Sequence, residues 1–162
     1  MKNNAKILSR DELRRRVDVW RRAGERIILA NGAFDLLHVG HVRYLAAAKA
    51  LGGELVVAIN SDASVRALKG EGRPIIPEQE RAEIIAALTD VDAVVIFPEL
   101  DVRAIIREIR PDIQAKGTDY TADSVPERGE VLACGGRVEI VGDRKDHSSS
   151  GIIRSHLAPR LE

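Results

Sequence analysis

The sequence contains a single cysteine, Cys134, which leaves no partner for an internal disulfide and no cysteine cluster for a metal. Its 25 lysines and arginines balance 25 aspartates and glutamates, and a zero net charge argues against a general nucleic-acid-binding protein. No apolar run approaches the roughly 20 residues that span a bilayer, and the N-terminus lacks the apolar core of a signal peptide. We therefore expect a cytoplasmic protein with no nucleic-acid or membrane partner.

Two common phosphate-binding motifs are also absent. No G-x-G-x-x-G follows the first predicted strand, and no G-x-x-x-x-G-K-[ST] occurs in the chain. These absences argue against a nicotinamide dehydrogenase and against a P-loop kinase.

The patterning predicts one domain over residues 1–162, with an N-terminal helical extension over residues 1–25. Ser9 and Glu12 have the spacing of a capping box for the first helix. Apolar runs that alternate with amphipathic segments predict five strands, over residues 27–30, 54–60, 94–97, 113–116 and 138–141. Continuous apolar strands are typical of a parallel sheet that is covered on both faces. The prediction is an α/β fold, a doubly wound five-stranded parallel sheet.

Two further segments carry local predictions. Residues 63–77 are polar and rich in glycine, which predicts a mobile loop. The spacing of Ser124 and Glu127 predicts a second capping box at the start of a helix. In a doubly wound sheet, ligands bind beyond the carboxyl ends of the strands. The segments expected there are 31–41, 60–73, 116–120 and 142–151.

His38 and His41 lie between the first strand and the next helix. A glycine loop that leads into a helix N-terminus presents unpaired N–H groups to an anion, so two imidazoles there suggest phosphate chemistry. Either histidine alone would more often be a packing or surface residue. A metal pair or a Ser-His-Asp triad is less convincing, because the remaining histidines, His147 and His156, offer no obvious third ligand.

Ser148, Ser149 and Ser150 precede the last predicted helix. One N-cap needs only one hydroxyl, so a cap with two spare serines is the simpler interpretation. Three hydroxyls at a helix start, with Arg144 and Lys145 just upstream, favour a phosphate cradle.

Cations are concentrated in the segment after the second strand, where Lys69 adjoins Gly70. A flexible ammonium there could close over phosphate charge. Arg66 is equally compatible with a solvated surface, and Arg81 could instead be a surface partner on its own helix.

The run from Gly32 to His41 resembles the His-x-Gly-His signature of the cytidylyltransferase-like nucleotidylyltransferases, and Ser148–Ile153 resembles their Ser/Thr-rich second signature. Within that family the chain resembles in particular the heptose 1-phosphate adenylyltransferases. The resemblance continues through residues 60–70, Arg73-Pro74, residues 81–92 and residues 116–120. Because no sugar-kinase sequence precedes it, we expect the stand-alone transferase form.

The resemblance implies transfer of AMP from ATP to D-glycero-β-D-manno-heptose 1-phosphate by direct in-line attack, with release of pyrophosphate. It implies a Rossmann-like fold, a homodimer and a role in lipopolysaccharide biosynthesis. It also implies Mg²⁺ bound mainly through the ATP phosphates, with no metal held by protein side chains. Two alternatives stay open: a CTP-dependent transferase acting on glycerol 3-phosphate or a related polyol phosphate, and a non-catalytic nucleotide-binding module.

The site residues fall into three predicted sets. The catalytic residues are His38, His41 and Lys69. The residues predicted to bind the nucleotide and its phosphates are Gly32, Ala33, Phe34, Gly40, Lys116, Gly117, Asp119, Tyr120, Arg144, Ser148, Ser149 and Ser150. The residues predicted to bind the acceptor are Asp35, Asp62, Arg66, Arg73 and Arg81. Ala33 stands where the family often has cysteine, and Thr118 where it usually has glycine.

Overall fold

The computed structural model describes residues 5–144 and 148–157. Its centre is a five-stranded parallel sheet with the strand order β3-β2-β1-β4-β5. The strands are β1 (Ile27–Gly32), β2 (Glu54–Asn60), β3 (Ala93–Phe97), β4 (Ile113–Lys116) and β5 (Arg137–Ile140). The predicted α/β fold class is thereby confirmed.

Seven α-helices in the described residues lie before, between and after the strands and cover both faces of the sheet. They are α1 (Arg10–Arg22), α2 (Val39–Lys49), α3 (Asp62–Lys69), α4 (Glu78–Ala86), α5 (Arg103–Ile109), α6 (Arg128–Ala133) and α7 (Ser149–Ile152), the last continued by a π-helical turn over Ile153–Leu157. The predicted capping box of α1 is present, because Ser9 N–H donates to Glu12 Oε2 (2.8 Å) and Glu12 N–H donates to Ser9 Oγ (3.3 Å). None of the described helices is both long and apolar enough to cross a membrane.

Alternate residues of each strand face opposite cores. In β1, Ile28 packs in a core completed by α2 and α4, whereas Leu29 packs in a core completed by α1 and α5. From α1, Leu13 and Val17 are fully buried in the second core, and burying one such side chain stabilises the fold by roughly 1.5–3 kcal/mol. The N-terminal helix is therefore an integral part of the helical layer that covers this face of the sheet.

The structure corrects the predicted loop over residues 63–77, because its first half belongs to helix α3. Ser61 caps this helix by accepting the Ser64 N–H (3.2 Å). Val65, on the inward side of the helix, is fully buried. The loop begins only at Gly70, where a φ of +92° ends the helix.

The predicted capping box at Ser124 and Glu127 is also wrong. Ser124 Oγ accepts the Thr121 N–H (2.9 Å) in a short 3₁₀ turn, and α6 begins only at Arg128. The physical reason is Pro126, which restricts the preceding Val125 to an extended backbone (φ −68°, ψ 121°) and so prevents a helix from starting there.

The strand order reverses between β1 and β4. The chain proceeds from β1 outward through β2 to β3, and then returns to the other side of β1 with β4. At the carboxyl ends of these two neighbours lie Gly32 and Lys116. Connections that diverge from this point leave a crevice, which is the usual ligand position in such a sheet.

Candidate active site

A cavity of about 520 Å³ opens at the reversal point, a size that suits a small-molecule ligand. Its lining residues come from the β1–α2 connection, the end of α3, the segment after β4 and the segment before α7. They are Asn31, Gly32, Ala33, Phe34, Asp35, His38, Gly40, His41, Arg43, Tyr44, Lys69, Lys116, Gly117, Thr118, Asp119, Tyr120, Val141, Gly142, Asp143, Arg144, Ser148, Ser149 and Ser150. The structure thus brings together all the residues that were predicted as catalytic or nucleotide-binding.

The turn after β1 depends on a glycine and a strained phenylalanine. A Cβ at Gly32 would lie 3.2 Å from Phe34 Cε2, so the missing side chain makes room for the ring. Phe34 has a φ of +49° and is 6% exposed. A left-handed conformation of this kind costs a non-glycine residue about 1–3 kcal/mol and persists only where the surroundings impose it. The strain accompanies a sharp turn that leads the chain into the two histidines.

His38 and His41 form a stacked pair, with ring centroids 3.9 Å apart and an interplanar angle of 24°. The main-chain N–H of His38 donates to His41 Nδ1 (3.3 Å). A neutral His41 ring therefore carries its hydrogen on Nε2, which makes Nε2 a hydrogen-bond donor. This arrangement suits an anion at the start of α2, because the N–H groups in the first turn of a helix point toward that end.

The three serines before and within α7 have different local roles. Ser148 is the N-cap, and its hydroxyl oxygen accepts the Gly151 N–H (3.0 Å). Ser149 is buried and donates its hydroxyl to the Leu36 carbonyl (3.0 Å), which ties α7 to the β1–α2 connection. Ser150 is exposed. Ser148 can therefore cap α7 and also bind a phosphate, since its hydroxyl still has a hydrogen to donate. Lys145, the predicted upstream cation, lies outside the described residues.

The segment after β4 forms the opposite end of the cavity. A Cβ at Gly117 would lie 3.1 Å from Asp119 Oδ1, so the glycine leaves space for that carboxylate. The Lys116 ammonium lies 4.9 Å from the centroid of the Tyr120 ring. Thr118 donates its hydroxyl to the Asp143 carbonyl (2.7 Å) and so joins this segment to the one that precedes α7.

The prediction missed Arg43 and Tyr44, which lie two and three positions after His41 on α2. Arg43 pairs with Asp143 (3.0 Å) at the rim, and the Tyr44 hydroxyl donates to the Ala115 carbonyl (2.6 Å). Burial raises the pKa of Tyr44, so the hydroxyl remains protonated. The available signal was helical spacing, because residues three and four positions after Gly40 share its face of the helix.

Arg81 does not line the cavity, and it is not the surface residue that its place early in a helix suggested. Its side chain is 0% exposed. Its guanidinium donates to the carbonyls of Ile76 (2.9 Å), Ala33 (2.6 Å) and Asn60 (2.8 Å) and pairs with Asp62 Oδ1 (2.7 Å). Arg81 therefore joins the segments that follow β1, β2 and α3 into one rigid edge.

Asp35 performs a similar anchoring role, although it too was predicted to bind the acceptor. Its buried carboxylate accepts hydrogen bonds from Arg73 Nε (2.6 Å) and from the N–H groups of Ile75 (2.8 Å) and Ile76 (3.0 Å). Burial alone would raise the pKa of Asp35, but the bonds from Ile76, Arg73 and Ile75 outweigh it and lower the pKa. Asp35 thus binds the loop after α3 to the turn after β1.

The remaining predicted acceptor residues do not line the cavity. Asp62 and Arg73 are engaged in the ion pairs with Arg81 and Asp35, and Arg66 lies exposed on α3. The nucleotide end of the predicted site is therefore assembled in the structure, whereas the predicted acceptor set is not.

Comparison with known proteins agrees with this geometry. The profile of the cytidylyltransferase-like family matches residues 29–155. The chain is 50% identical over 149 residues to the bifunctional protein HldE of Methylobacillus flagellatus, a match that covers 92% of this chain and 30% of that protein. It is 48% identical to the bifunctional protein HldE of Syntrophotalea carbinolica, over 95% of this chain and 31% of that protein.

One solved structure of similar fold is described as a lipopolysaccharide core biosynthesis protein from Thermoplasma volcanium GSS1. It superposes with a TM-score of 0.62 at 35% identity, over 73% of this chain and 95% of that one. The chain spans about a third of the length of the curated relatives it matches. The resemblance predicted from the two signatures is confirmed, and the chain belongs to the cytidylyltransferase-like family, whose members are nucleotidyltransferases.

Proposed function

We propose that the chain transfers AMP from ATP to D-glycero-β-D-manno-heptose 1-phosphate and releases pyrophosphate. The observation that carries this proposal is the convergence of the histidine pair, Lys69 and the three serines on one cavity. The similarity to bifunctional HldE proteins and to a lipopolysaccharide core biosynthesis protein supports a sugar phosphate as the acceptor.

The proposed reaction is a single displacement at the α-phosphorus of ATP. An oxygen of the sugar phosphate forms a bond to the α-phosphorus while the bond from that phosphorus to the bridging oxygen of the β-phosphate breaks. Pyrophosphate leaves with the bonding electron pair, and no covalent enzyme intermediate forms. Such a step depends on positioning and on stabilising negative charge.

The histidine pair supplies donors for that charge. His41 offers Nε2–H because its Nδ1 is already an acceptor for the His38 N–H. We assign both imidazoles to the α- and β-phosphates, where charge grows in the transition state. Donors that are already oriented need not reorganise during the reaction. Removing one such donor typically lowers kcat by about 100- to 1000-fold.

Lys69 and the serines complete the phosphate end. Lys69 is exposed at the carboxyl end of α3 and lines the cavity, and the loop that follows begins with Gly70. We propose that its ammonium closes over the phosphates between donor and acceptor. Ser148, Ser149 and Ser150 would receive the β- and γ-phosphates beside Arg144.

The segment after β4 suits the nucleoside. Asp119 accepts hydrogen bonds, and the two ribose hydroxyls can donate them. Gly117 leaves room for this carboxylate, and Tyr120 offers a ring face beside it. We therefore place the ribose and base at this end, opposite the phosphate-binding residues.

Mg²⁺ is expected to arrive with the triphosphate. Among residues 5–144 and 148–157, no group of three or more histidine, cysteine, aspartate or glutamate side chains is placed to hold a metal ion. The described side chains therefore do not offer a set of ligands that would hold a metal without the substrate. When bound through phosphate oxygens and water, Mg²⁺ would neutralise part of the triphosphate charge.

We further propose that the chain acts as a homodimer in the cytoplasm. Several large apolar side chains on the described surface are exposed, among them Val19 (56%), Val39 (43%), Leu100 (60%) and Leu132 (47%). Light scattering during size-exclusion chromatography measures the molar mass, and a mass of twice 17.7 kDa is expected. A monomeric mass at micromolar concentration would contradict the dimer.

A matrix of substrates tests the function. Pyrophosphate release is measured with ATP or CTP in combination with heptose 1-phosphate or glycerol 3-phosphate. The proposal predicts rapid release only with ATP and heptose 1-phosphate. Release with CTP and glycerol 3-phosphate would identify a different transferase. ATP binding with no turnover on any acceptor would favour a non-catalytic module.

A further inference from the structure

A buried ionic cluster lies beneath the nucleoside end of the cavity, on the sheet face covered by α1, α5 and α6. Lys116 at the end of β4 lines the cavity, and its side chain is 8% exposed. Its ammonium lies 3.6 Å from Glu127 Oε2, and the Glu127 side chain is also 8% exposed. Glu127 comes from the residues just before α6 and does not line the cavity itself.

The contacts of this cluster are long for a buried ion pair. The Lys116 ammonium lies 3.4 Å from Asn31 Oδ1, and Asn31 Oδ1 also accepts from Gln114 Nε2 at 3.3 Å. Charge-assisted N–H···O bonds are usually about 2.7–2.9 Å long. Glu127 Oε2 and Gln114 Oε1 accept no hydrogen bond from the described residues. The Lys116 ammonium therefore makes only long contacts within this cluster, and its N–H groups can still donate to a ligand.

Such an arrangement is a poor device for stability. Removing a carboxylate and an ammonium from water carries a large desolvation cost, which their attraction offsets only with close geometry and further hydrogen bonds. Apolar side chains of similar volume would stabilise this position at least as well. The location of the charges at the cavity floor supplies a reason for keeping them.

We propose that Glu127 is a positioning residue for nucleotide binding, which holds the Lys116 ammonium at the cavity floor through their ion pair. The inference rests on the proposed function only in that the ligand is a nucleoside triphosphate. Lys116 contacts the nucleotide directly. Glu127 acts through Lys116 and so links α6 to nucleotide affinity without touching the substrate.

The test uses the Glu127→Gln variant, which retains the shape of the side chain and removes its charge. The dissociation constant of ATP with Mg²⁺ is measured by calorimetry in the absence of any acceptor, and CTP is titrated in parallel. We expect the affinity for ATP to fall about 10-fold, which is the lower end of the effect of losing one hydrogen bond to a charged group. In turnover assays, KM for the nucleotide should rise while KM for the acceptor stays within about twofold.

Glu130→Gln is the matched control, because Glu130 lies on α6 and pairs with Arg103 and Arg107 on the surface. Its nucleotide affinity should equal that of the wild type. Lys116→Met should weaken binding at least as much as Glu127→Gln. The double variant should bind no more weakly than Lys116→Met alone, since Glu127 has nothing left to position. A role confined to folding stability does not predict this non-additivity.

Two results would overturn the inference. The first is nucleotide affinity within twofold of wild type in Glu127→Gln, and the second is a double variant whose loss equals the product of the single losses. If Glu127→Gln is too unstable to titrate, Glu127→Asp is used in its place. Its side chain is one methylene shorter, so the charge is retained but lies farther from Lys116, and the single and double variants are compared in the same way. Because no acceptor is present, this outcome is independent of which sugar phosphate the enzyme uses.

Discussion

The substitution Asp35→Asn removes the charge that joins two segments at the edge of the proposed active site. The Asp35 carboxylate accepts three hydrogen bonds, from Arg73 Nε and from the N–H groups of Ile75 and Ile76. Asparagine keeps one acceptor oxygen, but its N–H₂ group takes the place of the other and faces a group that is itself a donor. At least one of those donors then loses its partner, and the Arg73 guanidinium loses its counter-charge.

The size of the effect follows from burial. The Asp35 side chain is 0% exposed and that of Arg73 is 13% exposed. Breaking a buried ion pair by removing one partner costs about 3–5 kcal/mol. For a domain of this size, each kcal/mol lowers the unfolding midpoint by roughly 2–4 °C, so the midpoint should fall by roughly 6–20 °C.

The difference in the free energy of unfolding between Asp35→Asn and the wild type should also depend on pH. The folded-state pKa of Asp35 is lowered, so the unfolded state binds the proton more readily. The stabilisation is therefore fully present above the unfolded pKa, which is about 3.9 for aspartate, and is lost as the pH falls through the folded pKa. The stability gap should be constant above about pH 5 and should narrow below about pH 4.

Urea denaturation, followed by circular dichroism between pH 3 and pH 7, measures both quantities. Asp123→Asn is the control, because the Asp123 side chain is 91% exposed and its pairing with Arg128 is long (3.5 Å). It should change stability by less than about 0.5 kcal/mol. A loss below about 1 kcal/mol in Asp35→Asn, or a gap that does not narrow in acid, would refute the anchoring role.

Three further substitutions probe the same edge of the sheet. Arg81→Met should cost about 3–5 kcal/mol in urea denaturation, since it leaves three buried carbonyl acceptors and Asp62 without their donor; a loss under about 1 kcal/mol would contradict the link. Gly32→Ala should lower kcat at least about 10-fold with the fold retained, because the new Cβ lies 3.2 Å from the Phe34 ring and displaces the turn; an unchanged kcat would show that the turn adapts freely. Ser149→Ala should cost about 1 kcal/mol through the lost hydrogen bond to Leu36 and should raise KM for ATP; unchanged thermal unfolding and KM would remove Ser149 from the site.

The sheet could be predicted because its signal is local. Runs such as Leu55–Ile59 are continuously apolar and fully buried in the structure, as a covered parallel sheet requires. Helix α3 was missed because Gly70, Gly72 and the prolines that follow dominate the composition of residues 63–77. The Ser61 cap and the buried Val65 determine the local structure instead.

The buried arginine could not be predicted from local pattern. An arginine early in a helix normally indicates a surface position. Arg81 is buried because three main-chain carbonyls from different segments meet at its guanidinium, and that convergence exists only in the folded chain. The same reasoning applies to Glu127, which the folded chain brings to within 3.6 Å of Lys116 although the two residues lie on different elements.

The residues proposed to bind phosphate could be recognised in the sequence for the opposite reason. His38 and His41 are close in sequence, and the three serines are consecutive, so each group is recognisable before the fold brings the groups together. The residues predicted to bind the acceptor are scattered single charges. Without the fold, a charge that anchors a loop, as Asp35 does, cannot be distinguished from one that binds a substrate.

Pyrophosphate release by His41→Ala with ATP and heptose 1-phosphate tests directly whether this cavity transfers AMP. We expect kcat to fall about 100- to 1000-fold, because one oriented donor to the reacting phosphates is removed, while circular dichroism shows that the fold is retained. His156→Ala is the control, since His156 is exposed and does not line the cavity. Turnover in folded His41→Ala that equals the wild-type rate would contradict the assignment of this cavity as the adenylyl-transfer site.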